Sequence, residues 1–316
     1  MLGAGGVAGH AFHAGVLRAL AEETGWDARD ADLVIGTSAG SVVGLGIRIG
    51  LSSSDLFARV VDKPLSSEGA ALLADLPPAT GGAWWRTDGA WRLPLPASPG
   101  LVARVATRPW RARPGVLLAG LLPAGRLDAS RIARDADALV ASTRREVKDL
   151  WVTAVRLSDG RRVAFGRDGE PLPEAWTWGQ AVAASCAIPG FFTPVVIGGE
   201  RYVDGGAHSP TNAHLAGAVE PDVVVVSSPM SSIRTARHRS LDAPVRTAYR
   251  LRLAAEVAQL RRRGVPVIVF QPPPSVLRAA GLNAMNPDVR IPVAEASYAA
   301  AAARCAAASF PTSLVG

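Results

Sequence analysis

The sequence predicts an α/β protein with a mainly parallel central sheet, and two patterns along the chain support this fold class. Short apolar, β-branched runs alternate with longer segments whose apolar residues recur at helical spacing. Near the N-terminus, one apolar run leads at residues 36–40 directly into Gly-Thr-Ser-Ala-Gly and then into a second small, apolar run. This order of strand, tight turn and helix, with a serine at the apex, is typical of a nucleophile elbow.

The first 50 residues predict a loop, a helix, a strand, the elbow and a second helix. Residues 10–23 carry apolar side chains on one helical face, and residues 33–35 form a short apolar run that suits a buried strand. Residues 41–49 are small and apolar throughout, which predicts a buried helix. Only Met1 and Leu2 precede the glycine-rich loop at residues 3–9, so a first strand there is very short.

Residues 51–125 are irregular and predict a cap-like insertion of helices and loops. Four of the eight tryptophans lie in this segment, together with many prolines and arginines: Trp84, Trp85, Trp91 and Trp110. From Trp84 to Leu122 this composition suits peripheral contact with an anionic membrane surface, where rings lie at headgroup level and arginine meets anionic lipid. The alternative is a cap that only packs on the core.

The rest of the chain continues the alternation of helices and strands. Asp159-Gly160 and Gly198-Gly199 predict two tight hairpins, because these residues accept the positive φ angles of such turns. The predicted helices cover residues 126–142, 178–186, 241–263 and 294–308, and the predicted strands cover residues 151–157, 162–165, 195–197, 201–203, 222–227 and 265–270.

Composition and charge narrow the function classes. The chain has 316 residues, of which 48% are hydrophobic and 19% charged, which fits a globular protein and excludes a disordered one. The two cysteines, Cys186 and Cys305, make neither a disulfide framework nor a metal cluster, so we expect no metal and a reducing, cytoplasmic environment. No apolar stretch approaches the roughly 18 residues of a membrane-spanning helix, and the chain begins without signal-peptide features.

The net charge of +7 favours anionic partners such as acidic substrates and anionic lipid headgroups. No recognisable nucleic-acid module is present, nor a basic helix with interleaved aromatic residues, so we expect no nucleic-acid partner.

Ser38 is the candidate nucleophile. Gly36 and Gly40 flank it within the elbow, where the backbone is strained and Cβ atoms would collide. The turn places the serine hydroxyl at the positive N-terminal end of the following helix. The sequence therefore predicts acyl-transfer chemistry at Ser38, a reaction that needs no cofactor.

The glycine-rich loop is the candidate oxyanion hole. Acyl transfer needs donors aimed at the developing oxyanion, and the N–H groups of Gly5, Gly6 and Val7 precede a helix in a suitable way. A dinucleotide-binding fingerprint is excluded by its register, because Ala4 occupies the first glycine position. The acidic residue that would hold a ribose about 20 residues further on is missing as well.

Asp204 is the candidate general base, because serine must hand its proton to a neighbouring group before it attacks. Gly198-Gly199 already closes the preceding hairpin, so Asp204 lies at a strand end, where α/β sheets build sites. Gly205 and Gly206 then allow another segment to approach closely. The alternative base is a histidine of a Ser–Asp–His triad in an α/β-hydrolase; the candidates are His208, His214 and His238.

The elbow at residues 36–40, the glycine-rich loop and Asp204 together resemble the signature of the patatin-like phospholipase family, and three motifs in chain order extend the resemblance. The first is Leu-Gly-Ala-Gly-Gly-Val-Ala-Gly at residues 2–9, followed by Gly-Val-Leu at 15–17. The second is Ala-Ser-Cys-Ala-Ile-Pro-Gly-Phe-Phe-Thr-Pro at 184–194, and the third is Asp-Gly-Gly at 204–206 with Pro210 and Asn212. The resemblance covers about residues 1–217 and implies a three-layer α/β/α fold.

The resemblance implies a serine lipid acyl hydrolase: a phospholipase, lysophospholipase or esterase. It makes Ser38 the nucleophile and Asp204 the base of a catalytic dyad. Gly5, Gly6 and Val7 would form the oxyanion hole, and Gly9, Gly205 and Gly206 would support the motifs. Residues 1–217 would then be the catalytic domain, with the insertion at about 51–125, and residues 218–316 an α/β extension completing the same domain.

Two alternatives stay open beside the triad. The family usually has a basic residue where this chain has Ala8, and many members have glycine where it has Ala4. These differences motivate a non-catalytic lipid- or protein-binding module on the same scaffold. An acyltransferase is the other alternative, because an alcohol can replace water as the acyl acceptor.

Overall fold

The computed structural model describes residues 1–74, 86–87, 95–107, 113–143, 146–233 and 243–307. These residues form a three-layer α/β/α fold whose central sheet is mixed and mostly parallel, as the sequence predicts. The helices of the described residues are α1 (Gly6–Thr24), α2 (Ala39–Arg48), α3 (Ser53–Val60), α4 (Ser67–Leu72), α5 (Pro99–Ala106), α6 (Pro114–Leu121), α7 (Ser130–Thr143), α8 (Trp178–Cys186), α9 (Ala243–Arg261), α10 (Pro274–Ala280) and α11 (Arg290–Ala306). The strands are β1 (Val34–Thr37), β2 (Arg86–Thr87), β3 (Leu127–Asp128), β4 (Leu150–Arg156), β5 (Arg162–Phe165), β6 (Val195–Ile197), β7 (Glu200–Asp204), β8 (Val224–Ser227) and β9 (Val267–Phe270).

Most predicted elements are present within a few residues of their predicted bounds. The helix predicted over 178–186 is α8 without any shift, and both glycine-containing hairpins join the strands expected of them. The sequence predicts helices within residues 51–125 without giving their bounds, so α3 agrees with it only in kind, and the short helix α10 is not predicted. Ser52 caps α3 through its side chain, and prolines begin α10.

Helices cover both faces of the sheet because successive residues of its strands point to opposite sides. Val34 of β1 and Val152 of β4 enter an apolar cluster that includes residues of α2 and α8. Their neighbours Ile35 and Trp151 enter a different cluster, which includes residues of α9. The near-continuous apolar sequence of these strands follows from this burial on two sides.

Leu2 joins two parts of the sheet. It forms parallel bridges with Gly36 at one side and Ser227 at the other, so this residue stands between β1 and β8. Strands β8 and β9 pair in parallel, and β1 pairs in parallel with β4. We propose that residues 218–316 complete the same domain as residues 1–217, because β8 and β9 extend the sheet through Leu2.

The edge of β4 is shared by two other strands. Val152 and Thr153 pair with β1, while Ala154 and Val155 pair with β7. All four residues also pair with β5, so β5 occupies one edge of β4, and β1 and β7 occupy the other. Since β7 is antiparallel to β4 and β1 is parallel to it, the carboxyl ends of β1 and β7 meet.

The described part of the predicted insertion packs on the sheet. Leu101 of α5 and Val116 of α6 share an apolar cluster with Val155, Leu157 and Val203. This packing agrees with the cap alternative for these two helices. The tryptophans of the membrane-contact hypothesis, Trp84, Trp85, Trp91 and Trp110, lie outside the described residues.

Substitution of Gly40 tests how closely α2 packs against the backbone of Leu2. A Cβ atom at Gly40 would lie 2.1 Å from the backbone oxygen of Leu2, a contact that neither backbone segment can relieve without moving. We expect Gly40→Ala to lower the free energy of unfolding by about 3 kcal/mol or more. Gly100→Ala in α5 is the matched control, since its Cβ would meet nothing within 4 Å, and it should be neutral or slightly stabilising. Urea denaturation measures both variants, and equal stability would contradict this account of the fit.

Candidate active site

Ser38 stands between β1 and α2 in a strained backbone conformation. Its φ of 54° and ψ of −121° lie outside the regions that side-chain-bearing residues usually adopt. The Ser38 N–H donates to Oγ of Ser185 at 2.8 Å, and Oγ of Ser41 donates to the Ser38 carbonyl at 2.7 Å. These two bonds hold the backbone of the elbow. Gly36 is required beside it, because a Cβ there would lie 2.6 Å from the Gly40 oxygen.

Asp204 is the last residue of β7, and the structure brings its carboxyl group to the Ser38 side chain. The register of β4 explains the meeting, since Thr37 pairs with Thr153 and Asp204 pairs with the next residue, Ala154. Oδ1 of Asp204 accepts a hydrogen bond from the Gly206 N–H at 2.7 Å, and the Ser38 side chain lies close enough to the carboxyl group to lower its pKa. The backbone of Gly205 passes close to Thr153, where a Cβ would lie 2.5 Å from Oγ1.

Burial sets the acidity of this carboxyl group. Asp204 is 5% exposed, and burial raises its pKa to about 6, while the Gly206 N–H and the Ser38 side chain act in the opposite direction. At neutral pH the group is therefore mostly ionised, yet it binds a proton more readily than an exposed aspartate. That combination suits a general base.

The glycine-rich loop has three consecutive N–H groups that find no acceptor among the described residues. The N–H groups of Gly3 and Ala4 donate to Ser227 and Pro210, and those of Ala8 and Gly9 donate to other carbonyls. Within the described residues, the N–H groups of Gly5, Gly6 and Val7 donate to no protein acceptor. They belong to the start of α1, where the helix dipole favours negative charge.

The loop contacts both sides of the candidate site. A Cβ at Gly9 would lie 3.5 Å from Cβ of Ala39, the residue after Ser38. A Cβ at Gly206 would lie 3.4 Å from Cβ of Ala4. The elbow, the turn after Asp204 and the loop therefore meet at one place.

His13 positions the loop from within α1. Its Nε2 lies 2.8 Å from the Gly3 carbonyl oxygen, which can only accept, so Nε2 carries the proton. Nδ1 then accepts from the Ser227 hydroxyl at 2.7 Å. Burial lowers the pKa of His13 to about 3, which keeps the ring neutral. Sequence reasoning cannot assign this role, because Gly3 and Ser227 are brought together only by the sheet.

Asn212 ties the strand ends together. Its φ of 49° is one that asparagine tolerates, and its Nδ2 lies 2.7 Å from the Ser209 carbonyl oxygen. The same nitrogen lies 3.2 Å from Oγ1 of Thr37 and 3.3 Å from Oγ1 of Thr153. The sequence motif contains this asparagine and Ser185, but only the structure shows which groups they bind.

The late histidines are engaged elsewhere. Nδ1 of His208 lies 3.2 Å from Oδ1 of Asn212, and Nε2 of His214 accepts from Nη1 of Arg162. His238 lies outside the described residues. In the part of the chain that the structure describes, no hydrogen bond joins Ser38 to a histidine, so the alternative triad finds no support there.

A family model for patatin-like phospholipases matches residues 1–216. The chain belongs to this family, which confirms the resemblance seen in its three motifs and makes it a lipid hydrolase in general terms. No curated protein matches the chain at a significant level.

None of the described helices combines the length and the apolar character that crossing a membrane requires. Among the described residues, no group of three or more histidine, cysteine, aspartate and glutamate side chains is arranged to hold a metal ion.

The buried carboxyl group makes a testable contribution to stability. Because the pKa of Asp204 is raised from 3.8 to about 6, its contribution is fully present below pH 4 and is lost as the pH rises through 6. Asparagine does not titrate. Between pH 4 and pH 7.5, the free energy of unfolding of Asp204→Asn should therefore rise by about 2–3 kcal/mol relative to that of the parent protein. Denaturation at a series of pH values measures this difference. Asp168→Asn, at an exposed loop aspartate, is the control, and a pH-independent difference for Asp204→Asn would contradict the assignment.

Proposed function

We propose that the chain is a serine lipid acyl hydrolase that cleaves fatty-acyl esters of phospholipids, lysophospholipids or simpler esters through Ser38 and Asp204. One observation carries the proposal: a buried carboxyl group with a raised pKa lies beside the hydroxyl of a serine in a strained elbow. Membership of the patatin-like phospholipase family supports the lipid substrate class.

In the first step, Oγ of Ser38 attacks the ester carbonyl carbon while the Asp204 carboxylate takes the hydroxyl proton. A buried base suits this transfer, because it has no ion-pair partner within the described residues and burial raises its pKa to about 6. The C–O bond to the alcohol then breaks, and the protonated Asp204 returns the proton to the leaving oxygen. The product is an acyl ester on Ser38.

The tetrahedral intermediates place negative charge on the former carbonyl oxygen. The N–H groups of Gly5, Gly6 and Val7 suit the role of donors to this oxygen, since they have no acceptor in the described part of the protein. Water attacks the acyl-enzyme in the second step, with Asp204 as base, and releases the fatty acid. Capture by an alcohol in place of water would make the same site an acyltransferase.

An exposed apolar patch supports peripheral contact with a membrane. Leu118, Leu121 and Leu122 at α6 are exposed, and so is Phe191, of which 59% is accessible. A Cβ at Gly190 would lie 3.4 Å from Leu122, so the two groups adjoin. Contiguous apolar side chains of this kind are typical of surfaces that meet lipid or protein. The cytoplasmic location remains a prediction from the sequence.

Substitution of the two proposed catalytic residues tests the reaction. Ser38→Ala and Asp204→Asn should each lower kcat/KM for a p-nitrophenyl acyl ester by about 1,000-fold or more, because nucleophile and base act as a unit. Ser67→Ala, at an exposed serine of α4, and Asp168→Asn are matched controls that should keep full activity.

Full activity in both Ser38→Ala and Asp204→Asn would overturn the proposed mechanism. The non-catalytic alternative is separated by a fluorophosphonate probe, which labels activated serines. Labelling of the parent protein that disappears in Ser38→Ala supports catalysis, whereas a folded parent protein that takes no label supports a binding module.

Vesicle co-sedimentation tests the membrane contact. The protein should pellet with vesicles that contain anionic lipid, and the pair of substitutions Leu118→Asp and Leu121→Asp should remove most of it from the pellet, since both side chains are exposed on α6. Leu251→Asp, at an exposed leucine of α9, is the matched control. Absence of the parent protein from both anionic and neutral vesicle pellets would reject the membrane contact.

A further inference from the structure

A cavity of about 410 Å³ opens beside the turn that follows Asp204. Leu101, Val105 and Val116 of α5 and α6 form one wall, and the hairpin between β4 and β5 forms the other. His208 also lines it. The cavity has five arginine side chains in its lining: Arg104, Arg113, Arg161, Arg162 and Arg167.

The two carboxylates of the cavity are already paired. Asp159 binds Arg156, which lies outside the lining, with 2.6 Å between Oδ2 and Nη2. Glu170 lies 3.7 Å from both Arg161 and Arg167. The other three lining arginines, Arg104, Arg113 and Arg162, form no ion pair with any carboxylate of the described residues. The cavity therefore holds an excess of positive charge.

Two of these arginines have buried nitrogen atoms without a hydrogen-bond partner. They are Nη1 of Arg113 and Nε of Arg162, and neither donates to an acceptor in the described part of the chain. A guanidinium group only donates, and buried donors in native proteins are almost always satisfied. Two unsatisfied donors that line one cavity therefore point to an acceptor that enters this cavity.

The positive charges of the cavity arginines lie close to one another and to His208. Burial, followed by the charges of Arg113 and Arg162, lowers the pKa of His208 to about 3. Burial also lowers the pKa of Arg162 to about 10, and Arg167 and Arg113 contribute to that decrease. His208 is thus neutral, and the arginines repel one another unless an anion lies between them.

We propose that this cavity binds a phosphate group, either free or carried by a lipid headgroup. Guanidinium groups form paired N–H···O bonds with phosphate oxygens, and a tetrahedral anion offers acceptors in several directions at once. Arg113 and Arg162 would donate from their unsatisfied nitrogens, and Arg104 would add charge at the exposed side.

The cavity borders the candidate active site without sharing its proposed catalytic groups. Its connection runs through the turn at Gly205–Ala207, which follows Asp204 and precedes His208. Gly115 of α6 packs on this turn, where a Cβ would lie 2.3 Å from the Ala207 oxygen. Neither Ser38 nor Asp204 lines the cavity, so phosphate binding is separable from ester cleavage.

Calorimetric titration of the Ser38→Ala protein tests the proposal without turnover. Inorganic phosphate and monomeric dihexanoyl phosphatidate are the two phosphate ligands, and dihexanoylglycerol is the same lipid without phosphate. We expect phosphate ligands to bind at least tenfold more weakly when Arg113→Gln and Arg162→Gln are introduced together. Arg262→Gln, at an exposed arginine after α9, is the charge-matched control and should leave the affinity unchanged.

The outcomes separate the two sources of phosphate. Tighter binding of phosphatidate than of inorganic phosphate, with dihexanoylglycerol at least tenfold weaker, assigns the cavity to a lipid headgroup. Equal binding of the two phosphate ligands assigns it to free phosphate. Arg104→Gln, on an exposed side chain, provides the same loss in a milder form if the double variant does not fold. No phosphate binding to the parent, or equal affinity in all arginine variants, would overturn the proposal and leave ester hydrolysis by Ser38 unaffected.

Discussion

The candidate site depends on one constraint within the sheet: two strands that run in opposite directions end against each other along the same edge of β4. Thr37 pairs with Thr153, and Asp204 pairs with Ala154. Neither strand can lengthen without displacing the other, so the residue after β1 and the last residue of β7 are held side by side. The amide of Asn212 reinforces this junction, because it bonds across to Thr37 and Thr153. Ser38 and Asp204, which are 166 residues apart in the sequence, are thereby brought next to each other.

Two buried carboxyl groups show how local donors decide acidity. Burial opposes the charge of Glu256, but His214 lies 3.3 Å from its Oε1, Thr211, Ala213 and Arg252 donate hydrogen bonds to it, and its pKa falls to about 2. Asp204 is buried as well, but only the Gly206 N–H and the Ser38 side chain counteract the effect of burial, and its pKa rises to about 6. Glu256 is consequently a fixed anion that organises the segment around Thr211 and Ala213. Asp204 is left able to exchange a proton near neutral pH.

Much of the fold and the principal site residues could be predicted from the sequence because their signals are local. The apolar runs mark β1 and β4, and the glycines around Ser38 and after Asp204 mark turns that other residues would obstruct. The roles of His13, Ser185 and Asn212 could not be predicted, since each binds a group that lies far away in sequence. The arginine-lined cavity could not be predicted for the same reason. Its arginines come from α5, from the start of α6, and from the β4–β5 hairpin and the residues that follow it. Arginine is also common along the whole chain, so these residues do not stand out in the sequence.

Leu2 carries a consequence for how the molecule moves. Its bridges to Gly36 and Ser227, together with the hydrogen bonds of Met1 to β8, join the β8–β9 part of the sheet to the part built on β1 and β4. The next residue, Gly3, accepts a hydrogen bond from His13 at its carbonyl oxygen and donates its N–H to the Ser227 carbonyl oxygen. The N–H groups of Gly5, Gly6 and Val7, which have no acceptor within the described residues, follow shortly after. If the two parts of the sheet slid against each other, this short stretch of backbone would move, and the N–H groups of Gly5, Gly6 and Val7 would move with it. The backbone of residues 1–3 therefore connects both parts of the sheet to the glycine-rich loop.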